Sequence, residues 1–226
     1  MTLDAATRLT EVLLALAFMQ QGAEHLRRFR DERLLALARM ALCLLVVLGL
    51  GSPWPLTGLA LLSLVTLQRF QGPYNGGADR MGLLALWCLT FSRWLPTEAG
   101  REVAFGYLGL QLTLSYFIAG WVKIANPDWR NGRALRQVFA VSTYPVSEGL
   151  RGWARRPAML LALSWTVMLF ELLFPLTLVS RPTLAFGLAF AAVFHLLNAC
   201  LFGLNRFFWT WLAVYPAILW LQGRLF

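Results

Sequence analysis

Eight apolar segments, several of them about 20 residues long, follow one another along this chain with mostly short polar links between them. They run at about 5–22, 33–51, 54–68, 80–95, 103–125, 157–179, 182–202 and 206–222. A helix crossing a bilayer needs about 20 mostly apolar residues, because its backbone polar groups must be satisfied internally once water is gone. The pattern predicts an all-α fold: a polytopic integral membrane helical bundle of about seven to eight transmembrane helices, forming a single domain over residues 1–226. Composition agrees, since the 226 residues are 58% apolar and 14% charged, which excludes an ordinary soluble domain. The fifth, sixth and seventh segments carry the strongest signal. The first is weakest: polar residues recur through it, and Arg8 and Glu11 stand about one turn apart. That suits a helix lying in the interface as well as one that spans. The N-terminus has no basic n-region and does not read as a cleaved signal peptide.

The net charge of +9 would suggest nucleic acid in a soluble protein. Here the arginines sit in links between apolar segments, where topology signals and lipid headgroups account for them. Thirteen fall in the odd-numbered links: Arg27, Arg28, Arg30 and Arg33, then Arg69 and Arg80, then Arg130, Arg133, Arg136, Arg151, Arg155 and Arg156, then Arg206. Only Arg93, Arg101, Arg181 and Arg224 fall in the even links and the C-terminus. The positive-inside rule puts the odd links in the cytoplasm of a multi-pass inner-membrane protein, with the N-terminus outside if segment one spans. Membrane lipids are the expected partners, and nucleic acid is not.

The links have readable chemistry. Gly51-Ser52-Pro53-Trp54-Pro55 is short enough only for a tight hairpin. In the stretch from Gln71 to Asp79, glycines permit close backbone approach, and Asp79 is placed to cap the next helix. With Asn75 it reads either as an ordinary loop and cap or as a polar lip over a ligand pocket. Cys43, Cys88 and Cys200 lie inside apolar segments without C-x-x-C spacing and read as small buried hydrophobes. Neither histidine has metal-ligand spacing, and no nucleophile triad, phosphate loop or dinucleotide fingerprint is present. No metal is expected.

Ionisable groups within apolar segments are costly, on the order of 2.5–3.5 kcal/mol on insertion scales, and tend to face a bundle interior for a purpose. Lys123 is the only lysine among the 20 basic residues. Unlike arginine, a lysine can lose its proton when desolvated and act as a base. Tyr116, Gly120 and Lys123 share one helix face, Gly120 permits close approach of a helix or a flat ligand, and Pro127 ends the helix just beyond. The alternative is a lysine snorkelling at a helix end. Glu171 sits mid-segment before Pro175, which frees the carbonyl of residue 171; its carboxylate needs a partner, Lys123 or an arginine. His195 has Asn198 on the same face. His25 lies in a basic link and reads as solvated.

The run Tyr116-Phe117-Ile118-Ala119-Gly120, followed by Lys123, Asp128-Trp129 and Gly132, resembles the vitamin K-dependent γ-carboxylase family. It looks closer to that family's bacterial relatives, the horizontally transferred transmembrane (HTTM) domain proteins. The Asn75-Gly76-Gly77-Ala78-Asp79 loop, and Glu171 followed by the His195 helix, match in character. The resemblance covers nearly the whole chain as an HTTM-type domain, but only the membrane half of a carboxylase. It implies that Lys123 is a base toward a hydroquinone, with a quinol as the lipid-soluble ligand. Tyr116, Gly120, Asn75, Asp79, Trp129, Glu171, His195 and Asn198 are the candidate substrate-binding residues. This chain departs from the carboxylases in lacking their loop histidine near 72–79 and their exoplasmic domain. The arginine count also puts Lys123 on the cytoplasmic side, whereas carboxylase substrates are met on the lumenal side.

Two functions remain open. One is a membrane enzyme using Lys123 on a quinol or another lipid-soluble substrate. The other is a non-catalytic membrane subunit or assembly factor, working with a protein encoded nearby, in which the same polar groups knit the bundle.

Overall fold

The structure, a computed structural model, describes residues 1–28, 33–69, 76–141 and 148–226. Every regular element among them is helical. The first five are α1 (Leu3–Arg28), α2 (Arg33–Leu48), α3 (Trp54–Arg69), α4 (Gly76–Trp94) and α5 (Glu98–Ala125). Three short helices follow: α6 (Pro127–Arg130), α7 (Arg133–Val141) and α8 (Glu148–Arg151). The chain closes with α9 (Pro157–Leu173), α10 (Arg181–Phe202) and α11 (Asn205–Leu225). Each of the eight apolar segments forms a helix. Three are long and apolar enough to cross a membrane: α5, α9 with its 3-10 continuation to Val179, and α10. Much of their apolar surface points outward; Trp121, Val122, Phe186 and Val193 are all more than half exposed. Surface of that kind is a liability in water and ordinary against lipid tails.

The chain falls into two compact units, residues 1–110 with 206–225, and residues 111–205 with Phe226. In the first unit α1 packs on α2 and α4, α2 on α3, and α3 on α4. Leu14, Phe18, Leu56, Leu59, Leu86 and Leu89 are fully buried there. The polar residues that weaken α1 as an apolar segment are the inward ones: Thr7, Thr10, Glu11 and Gln21 are buried. Helix α2 ends in a Schellman motif. Leu50 N–H bonds the carbonyl of Leu45, Gly49 N–H bonds that of Val46, and Gly49 takes φ +73°. Arg8 completes this cap, its two terminal nitrogens donating to the carbonyls of Val46 and Val47 at 2.7 Å each.

Two sequence expectations change here. Asp79 does not cap α4, because the helix already begins at Gly76 and places Asp79 within its first turn. Cys43 and Cys88 are buried free thiols, whereas Cys200 is exposed on the outer side of α10. Asn75 lies outside the described residues.

The second unit is built around α9. Helix α5 ends at Ala125 because Pro127 cannot continue it; Asn126 turns the chain and its side chain accepts from Asp128 N–H at 2.9 Å. At Gly132 the chain takes φ +76°, and its backbone packs so closely on Leu161 that a side chain would press on the Leu161 backbone. Helix α7 then lays Phe139 against Leu160 and Phe202. Helix α9 tightens into a 3-10 turn at Phe174–Val179. Pro175 has no N–H to give the carbonyl of Glu171, and Phe174 N–H takes it instead. A capping box of Ser180 and Thr183 starts α10, and Gly203, at φ 70°, ends it.

Candidate functional site

Within the second unit, α5, α6, α9 and α10 bring together six of the residues singled out from sequence. Lys123 Nζ donates to Glu171 Oε2 at 2.5 Å. The Glu171 carboxylate is buried, and Lys123 is 20% exposed. The amine also stands 5.3 Å from the centre of the Trp129 ring, within cation–π range. Next along the same face of α5, the Tyr116 hydroxyl is 2.8 Å from His195 Nε2. Both of those residues are buried. The Tyr116 ring lies tilted on Phe174 with centroids 4.1 Å apart, and Phe170 packs edge-on to both rings.

Gly120 stands between the two polar pairs. A side chain there would run into the backbone of Glu171 and Leu172. Of the two occupants the sequence allowed at Gly120, a helix or a flat ligand, the structure seats a helix. That close approach is what brings the Lys123 amine within reach of the carboxylate. The contacts keep one antiparallel order: Gly132 on Leu161, the Trp129 carbonyl on Ser164 Oγ at 2.6 Å, Lys123 on Glu171, and Tyr116 on Phe174.

The ordering alters how Lys123 reads. Glu171 lies about four turns, roughly 21 Å, beyond Pro157, where α9 begins. It lies about 15 Å before Val179, where the apolar run ends. The lysine that ends α5 is thus met well inside α9, with residues 126–132 running beside the first turns of α9. The amine turns to a buried carboxylate.

Asn198 is half-buried one turn beyond His195; its carbonyl accepts from Leu204 N–H at 3.3 Å as α10 ends. Asp79 belongs to the first unit, where its carboxylate lies 4.0 Å from Arg206. Sequence reasoning missed Ser164, Phe170 and Phe174. It also missed the Tyr116–His195 bond, having grouped Tyr116 with its own helix face and His195 with Asn198. The one usable signal for Ser164 was a lone hydroxyl in an apolar run.

Chemically, the Lys123 amine and the Glu171 carboxylate form one contact between proton-carrying groups. The tyrosine–histidine pair offers a second such contact about two turns away on the same face of α5. A family model described as the HTTM domain matches residues 102–221, slightly more than half of the chain. The chain belongs to the HTTM family. No curated protein and no solved structure matches it. Together with the three apolar helices, the HTTM match makes this a membrane protein. Lys123, Glu171, Tyr116, His195, Gly120, Trp129 and Asn198 all fall within the HTTM region, and Asp79 falls before it.

Proposed function

We propose that this HTTM protein is a multi-pass enzyme of the cell inner membrane, working as one domain of seven to eight spans, with the Lys123–Glu171 pair as its centre. In this reading Lys123 accepts a proton from a quinol or another lipid-soluble substrate, and Glu171 holds the amine and shares the proton. Tyr116, His195, Asn198 and Trp129 border the reacting group, while Gly120 seats α9. The observation that carries the reading is that the chain's only lysine contacts a buried carboxylate. The likeness to the γ-carboxylases suggests a hydroquinone as the substrate class. The missing loop histidine argues against glutamate carboxylation.

Lys123→Arg tests the base role. It keeps the positive charge but removes the capacity to lose a proton. Loss of activity or phenotype at normal membrane abundance is the expected result, and normal function in the variant rules the role out. Orientation follows the arginine count, with residues 126–157 cytoplasmic; a tag in that link that is labelled from the periplasmic side reverses it.

A second reading, a non-catalytic subunit, draws support from Gly120. Helix α9 fills the space beside it, and the polar groups there bond one another. Native mass spectrometry of gently extracted protein separates the two readings. A retained quinone favours the enzyme, and a stoichiometric protein partner favours the subunit.

A further inference from the structure

In the first unit, α1, α2 and α3 leave a hollow of about 280 Å³, counting the part open to the outside. Gln21, His25, Leu35, Ala36, Arg39 and Thr66 line it. Two of these side chains hold buried polar atoms with no hydrogen-bond partner among the described residues. Gln21 is 2% exposed, yet neither its amide nitrogen nor its amide oxygen is hydrogen-bonded. The buried Nε of Arg39 is unbonded as well. A buried polar group left this way costs about 1–3 kcal/mol, and a charged one more.

The surroundings say what would relieve that cost. The Arg39 guanidinium carbon lies 4.0 Å over the Phe18 ring, so one flat face is covered and the N–H edge is what can meet an acceptor. Arg206 pairs with His25 and lies 4.0 Å from Asp79. Arg39 is in electrostatic range of both Arg206 and Asp79. Among the described residues, Arg39 and Arg206 both act on the Asp79 carboxylate. Glu24 is exposed on α1 and bonded by Gln20. Leu35 and Ala36 supply an apolar wall next to the donors.

We propose that this hollow binds a phosphate-type oxyanion, with Arg39 and Gln21 as its donors, supplied by an anionic lipid headgroup or by free phosphate. A guanidinium edge and a side-chain amide offer N–H groups to adjacent phosphate oxygens. The apolar wall suits the glycerol end of a lipid.

The test uses the full-length protein in nanodiscs and in mild detergent. Retention of dioleoyl phosphatidylglycerol is compared with that of dioleoyl phosphatidylcholine by native mass spectrometry. Wild type should retain phosphatidylglycerol selectively, and Arg39→Gln and Gln21→Leu should each weaken retention about tenfold or more. If inorganic phosphate displaces the lipid or raises the melting temperature in an Arg39-dependent way, free phosphate is a source. If only the lipid binds, the headgroup is. Equal retention by wild type and both variants, with no effect of phosphate, overturns the site. Should Arg39→Gln fail to fold, Gln21→Leu decides alone, since it is a near-isosteric change; unaltered binding in that variant overturns the site too.

Discussion

Two buried glutamates, one in each unit, are held in opposite ways. Glu11 is 2% exposed and receives Arg93 Nε at 2.6 Å and Arg8 at 3.3 Å. Arg8 also caps α2, and Arg93 lies 4.0 Å from Asp4, which Arg101 holds in turn. Every cation in that group is an arginine, so every charge is permanent and each also ties chain to chain. Glu171 is as deeply buried but has a lysine for its cation. Arginine suits a fixed strut and lysine suits a proton that moves. With arginine used everywhere else, the lysine opposite Glu171 stands, under the proposed function, where a fixed charge does not serve.

The contrast can be broken or sharpened by substitution. The largest expected effect is on the arginine side. Glu11→Ala leaves Arg8 and Arg93 without their shared carboxylate and should cost about 2–3 kcal/mol, read as a fall in melting temperature of the detergent-solubilised protein. A loss under about 1 kcal/mol would mean that the arginine group is not a strut. Gly120→Ala comes next. Its new Cβ meets the backbone of Glu171 and Leu172, so α5 and α9 must part at a cost of about 1–3 kcal/mol. The variant should lose function even where it still accumulates, and unchanged function would detach Gly120 from the site. The smallest effect is expected for Arg93→Lys, about 1 kcal/mol or less in stability, with function intact. Set beside a non-functional Lys123→Arg, that result would establish that the two cation positions are not equivalent. Loss of function in both would return the lysine to a packing role.

The helices were legible because long apolar runs leave the backbone little choice but to bond itself. Segment bounds agree with helix ends most closely where chemistry marks them, as at Pro127 and at the Ser180–Thr183 cap. The three short helices between Ala125 and Pro157 were not legible, since each is too brief to show a periodicity. The Lys123–Glu171 pairing could be anticipated because a buried carboxylate must find a cation and few were within apolar segments. The link from Glu11 to Arg93 could not, because 82 residues separate the partners and nothing in either neighbourhood points to the other. His195 finding Tyr116 rather than Asn198 shows the same limit: shared helix faces can be read from spacing, but which helix faces which cannot.

The 48-residue separation between Lys123 and Glu171 has a consequence during synthesis. Glu11 emerges with Arg8 already one turn away, but Lys123 is made well before its partner exists. At about 5–20 residues per second the wait is roughly 2–10 s. An arginine at that position would enter the bilayer carrying an uncompensated charge throughout. Under the proposed function, the capacity to lose a proton that makes Lys123 a base would also let it be inserted uncharged before its partner exists.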